Sequence, residues 1–131
     1  MYYTATRLMV LSAALVTLTL VTYMARPWGD NYAYQSLWGY AWLLGIAVWA
    51  TLPYLMLLCM APKASPSKVK KVINLVGTLV VTCGGAALYI DAAFLHRDPQ
   101  GGLVFIAVPL YQWIALALLA GMHVLFRKSQ S

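Results

Sequence analysis

The chain has no glutamate and only three aspartates, and charged residues make up 9% of its 131 positions. Asp30, Asp91 and Asp98 do not form a pair spaced for general acid–base work, and no Ser–His–Asp set places acid and base together. Cysteine is equally sparse. Cys59 and Cys83 form no C-x-x-C pair, which argues against a disulfide oxidoreductase and leaves both as small packing residues. The two histidines, His96 and His123, belong to opposite ends of separate apolar stretches, roughly 30 Å apart by helix rise, so they cannot share a haem or a metal. Asp91, His96 and Asp98 are the nearest approach to a metal-ligand set, but their spacing fits no dedicated motif, and Asp98 before Pro99 reads as a helix cap. Gly101-Gly102 is a flexible entry to the last stretch and not a phosphate-cradling loop. These shortages predict a protein that is not an enzyme and carries no metal and no cofactor.

Apolar sequence is what the chain has in abundance. Hydrophobic residues account for 63% of it, concentrated in four runs over residues 5–25, 36–60, 72–94 and 103–126. Each is close to the ~20 residues that a helix needs to cross a hydrocarbon core. Little sequence is left over, so residues 1–131 read as one all-α domain: a polytopic integral membrane protein with four transmembrane helices in an up-down bundle. The first run is longer than a signal-peptide core, and Ala25 is followed by Arg26-Pro27, a poor cleavage context. It is expected to persist as a helix.

The net charge of +6 is unevenly placed. Arg7, Lys63, Lys68, Lys70, Lys71, Arg127 and Lys128 fall on one side of four crossings, and only Arg26 and Arg97 on the other. That bias predicts both termini and the lysine-bearing connection in the cytoplasm, facing anionic lipid headgroups, and argues against nucleic acid as a partner for this charge. Trp28, Tyr32, Tyr34, Trp38 and Tyr40 suit an aromatic belt at the opposite interface.

Within the helices, a few residues are expected to carry packing or binding. Hydroxyls at Ser12, Thr17, Thr19 and Thr22 can bond across an interface. Trp42, Gly45 and Trp49 share one face of the second helix, and packing is the expected use of Gly45. Pro53 and Pro109 each remove a backbone donor and predict bends. In the connection before the third helix, Ser67 stands where it can cap. Asn74, Gly77, Val81, Gly84, Leu88 and Asp91 follow a three-four alternation, which predicts a small-residue stripe facing protein with a polar group at either end. Asp91 is expected to find a basic partner in His96, Arg97 or Arg26. Gln112, deep in the fourth run, must find its hydrogen bonds inside the protein. His123 is expected to snorkel toward the cytoplasmic surface. The candidate binding residues are therefore Asp91, His96, Arg97, Asp98 and Gln112, with Asn74, Gly77, Gly84 and Gly45 for helix packing.

In outline the chain resembles small bacterial four-helix inner-membrane proteins. Small multidrug exporters share its length and helix count, but the first helix here has no acidic residue to couple protons to efflux. The expected role is a non-enzymatic accessory, assembly or immunity-type protein of the inner membrane. Its partners would be the lipid bilayer and another membrane protein, or a second copy of itself. An oligomeric channel or small-solute transporter using Asp91 and Gln112 is the competing expectation.

Overall fold

A computed structural model describes residues 2–26, 36–60, 67–96 and 103–128. The fold is all-helical: α1 (Tyr2–Ala25), α2 (Leu37–Met60), α3 (Lys68–Ile90) and α4 (Val104–Lys128), with α3 running directly into a π-helical turn, Asp91–Leu95. All four helices are long and apolar enough to cross a membrane.

Two helices start earlier than the runs 5–25 and 72–94. α1 starts at Tyr2. α3 starts at Lys68 because Ser67 caps it, its hydroxyl accepting from the Lys70 amide at 3.4 Å. Lys68, Lys70 and Lys71 consequently sit on the first turn of α3 and not in the preceding connection. Neither Pro53 nor Pro109 ends its helix.

The helices pack as two hairpins, α1 against α2 and α3 against α4, laid side by side so that α1 also borders α3 and α2 borders α4. α2 and α3, consecutive in sequence, touch only slightly across a diagonal. Parallel neighbours α1 and α3 are joined near one end by Tyr23 stacking on Phe94, ring centroids 5.6 Å apart. The antiparallel register of α3 and α4 is set where glycines meet side chains: Gly77 against Leu119, Gly84 against Tyr111 and Gly85 against Gln112. Only small residues let the two backbones approach at these levels.

The core consists of two apolar clusters stacked along the bundle. Val10, Tyr54, Leu57, Val81, Leu116 and Leu119 form the one nearer the chain termini. Leu20, Val21, Ala50, Tyr89 and Val108 form the other. The outer surface is apolar as well: Leu8, Leu15, Leu44, Leu118 and Leu125 are all more than half exposed.

The third helix turns inward a face that overlaps the one its spacing suggested but is shifted from it: Asn74, Gly77, Val81 and Gly84 lie toward protein, and Leu88 does not. Its buried line is Asn74, Thr78, Val81, Thr82, Gly85 and Tyr89, whereas Leu88 is 44% exposed. Both lines obey a three-four alternation and share Asn74 and Val81. In water the aliphatic residue would decide between them; the exposed Leu88 accords with a helix long and apolar enough to cross a membrane, which would lose nothing by turning leucine toward hydrocarbon. The same reasoning corrects the two cysteines, which are exposed on the bundle surface and pack into no core.

Candidate functional site

Between the two apolar clusters lies a polar centre to which every helix contributes. Gln112 on α4 is fully buried, and its Nε2 donates to the Tyr54 hydroxyl of α2 at 2.9 Å and to the Val81 carbonyl of α3 at 3.1 Å. A carbonyl can only accept, so the amide nitrogen must be the end facing Val81. The Tyr54 hydroxyl, accepting from Gln112, also bonds Thr17 Oγ1 of α1, 2.7 Å away, with either hydroxyl able to donate. Val81, Gln112, Tyr54 and Thr17 thus form one chain of hydrogen bonds through α3, α4, α2 and α1 in turn.

Each member is positioned by its neighbours. Gly85 makes room for Gln112, since a Cβ there would collide with Nε2 and lie 3.2 Å from the Tyr54 hydroxyl. Thr78 and Thr82, buried on the same side of α3, donate to their own helix, to Asn74 O and Thr78 O, both at 2.7 Å. Of the hydroxyls expected to bridge from α1, only Thr17 does so. Thr19 and Thr22 donate back to Leu15 O and Leu18 O within the helix.

Asp91 and His96 form a second polar pair, at the end of the bundle away from the termini. His96 Nδ1 lies 2.9 Å from Asp91 Oδ1, with the side chains 82% and 47% exposed. The π-turn makes this pair: the His96 amide donates to Asp91 O at 2.8 Å, an i to i+5 bond that returns the histidine to the aspartate's own side. Asp91 is therefore held by its own segment. Arg26, with φ of 46°, instead turns its guanidinium over the Tyr23 ring at 5.7 Å. Arg97 and Asp98 lie outside the described residues, and no third metal-ligating side chain joins Asp91 and His96 among those described. An exposed pair of this kind contributes under about 1 kcal/mol. Asp91→Asn is expected to leave the melting temperature nearly unchanged in a thermal unfolding experiment, and a large drop would mean that Asp91 holds a buried partner as well.

The remaining sequence candidates are dispersed. Asn74 is buried near the terminal end of α3, and His123 lies on α4 with Nδ1 2.9 Å from the Leu119 carbonyl and Nε2 buried. His123 thus turns inward and does not snorkel; its i−4 carbonyl captures the ring. Gly77 and Gly84 lie against α4, while Gly45 has nothing within 4 Å of where its Cβ would stand. The face of Trp42, Gly45 and Trp49 is exposed, with Trp49 alone reaching another aromatic, Trp113 at 6.2 Å. With Phe105 and Ile106 of α4 these residues line an apolar groove of about 250 Å³.

Sequence reasoning found Gln112, and Thr17 as a hydroxyl able to bond across an interface, but missed Tyr54, which joins them. The available signal was Tyr54 directly after Pro53 in an otherwise aliphatic segment, since a phenol at that depth needs a partner.

The chain matches no family model, no curated protein and no solved structure in comparisons with known proteins. The functional reading therefore rests on its own geometry.

Proposed function

We propose that this chain is a multi-pass protein of a bacterial-type inner membrane that acts without catalysis, as an accessory, assembly or immunity-type protein holding another membrane protein. Both termini and the lysine-rich start of α3 face the cytoplasm in this reading, on the distribution of basic residues. The observation that carries it is the groove between α2 and α4. Two tryptophans flank a glycine that meets nothing in its own chain, and Phe105 and Ile106 close the other wall. In hydrocarbon, where apolar burial gives no drive, a glycine floor lets a foreign helix backbone approach closely, and large flat rings supply dispersion contact on either side. The occupant that fits is a transmembrane helix of the partner.

Gly45→Leu tests this, because open space around Gly45 lets the fold accept a side chain. Purification from the native host in mild detergent, followed by intact-complex mass spectrometry, is expected to show a hetero-complex with the native chain. With Gly45→Leu the complex is lost and the melting temperature is unchanged. A native chain that runs alone, or a variant that keeps its partner, overturns the proposal.

The channel or transporter reading has weaker support. Gln112 is turned into the centre of its own bundle and bonded to its own helices, and Val81, Leu116 and Leu119 fill the bundle below it. Asp91-dependent flux in liposomes would favour that reading instead.

A further inference from the structure

Near its C-terminal end α1 bears an open furrow of about 400 Å³, lined by Leu18, Thr19, Thr22 and Tyr23. It shares no residue with the groove between α2 and α4. Around the helix the two threonines fall between Leu18 and Tyr23, so short side chains form the floor and larger ones the walls. Both threonine hydroxyls donate to their own helix, to Leu15 O and Leu18 O. The furrow therefore asks no hydrogen bond of whatever lies in it.

One end of this furrow is charged. Tyr23, stacked on Phe94 of α3, also carries the Arg26 guanidinium over its ring at 5.7 Å. Arg26 stands just past the last residue of α1 and is exposed. Asp91, the one carboxylate among the described residues, bonds His96 and not Arg26. From Arg26 back to Leu18 the helix rises about 12 Å, most of the ~15 Å of one leaflet of a hydrocarbon core. A cation at the end of the apolar span, with an apolar channel leading inward from it, is complementary to an anionic head joined to a hydrocarbon tail.

On the reading that these helices cross a membrane, we propose that Arg26 and the α1 furrow bind one anionic phospholipid of the leaflet away from the chain termini. The guanidinium takes the lipid phosphate through its planar fork of N–H donors, and the acyl chain lies over Thr22 and Thr19 toward Leu18. A zwitterionic head group brings an ammonium beside the same arginine and gains less.

The test places the full chain in phosphatidylcholine liposomes containing a small fraction of phosphatidylglycerol with a photoreactive diazirine on its acyl chain. Cross-linked residues are mapped by mass spectrometry, and phosphatidylcholine with the same diazirine is the reference. The anionic probe is expected to label residues 18–23 about fivefold more than the reference does, the advantage that one basic side chain gives at an anionic lipid surface. The two probes are expected to label the exposed Ile114 of α4 alike. In Arg26→Gln, labelling of residues 18–23 is expected to fall to the reference level while Ile114 is unchanged. Three outcomes overturn the proposal: equal labelling by the two lipids, an advantage that persists in Arg26→Gln, or an advantage as large at Ile114. The first comparison needs only the native chain, so it decides even if the variant misfolds. A chain that takes no label on any helix would sink the membrane reading itself, and this site with it.

Discussion

Gly85→Leu is expected to destabilise the bundle by about 3 kcal/mol or more, the upper part of the range for overpacking a filled interior. The first atom of any side chain at this position collides with Gln112 Nε2 and crowds the Tyr54 hydroxyl at 3.2 Å. The glutamine is the far end of a flexible side chain and can move, but only by giving up its bonds to Tyr54 and Val81. Gly85→Ala is therefore expected to cost about 1–2 kcal/mol, the sum of two interhelical hydrogen bonds at ~0.6 kcal/mol each plus some strain. The neighbouring glycine is the control. A Cβ at Gly84 meets the Tyr111 hydroxyl at 3.0 Å, and Tyr111 is partly exposed and can swing outward, so Gly84→Ala is expected to be nearly neutral. Reversible unfolding of the three variants in mixed micelles checks the ranking. Equal losses at Gly84 and Gly85 would mean that backbone separation, and not the glutamine, limits the α3–α4 interface.

That contrast also shows where the sequence could be read and where it could not. Four helices were legible because run length and composition are properties of the chain alone, and the α3 cap was legible because Ser67 is a local signal. The inward face of α3 was not. Asn74 and Val81 belong to two competing three-four lines, one through Gly84 and Leu88 and one through Gly85 and Tyr89. Only the position of α4 chooses between them. Gln112 announced itself as a polar group at depth, yet its partners come from two other helices, at separations of 31 residues for Val81 and 58 for Tyr54. No spacing rule connects such positions. Asp91 was legible as a group needing a basic partner, with His96 among the candidates, but the choice of His96 was not, because an i to i+5 contact needs a π-turn and an ordinary helix at that spacing would have turned the histidine away.

Tyr54→Ala is the second change expected to have a large effect, about 3 kcal/mol, in the range for emptying a buried aromatic site. Tyr54 is fully buried, belongs to the cluster that α1, α2, α3 and α4 share, and bonds both Gln112 and Thr17. Comparison with Tyr54→Phe separates the two contributions. Phenylalanine keeps the ring but deprives Gln112 of one acceptor and Thr17 of its partner, which predicts a loss of about 1–2 kcal/mol. The rest of the alanine effect is packing. A double-mutant cycle of Tyr54→Phe with Thr17→Val then isolates the α1–α2 bond, with an expected coupling of ~0.6 kcal/mol and at most ~1.7. If Tyr54→Phe proves neutral while Tyr54→Ala is severe, the four helices are held by ring packing alone. The hydrogen-bonded chain would then set which residues face one another without adding to stability, a division that a buried polar group can support.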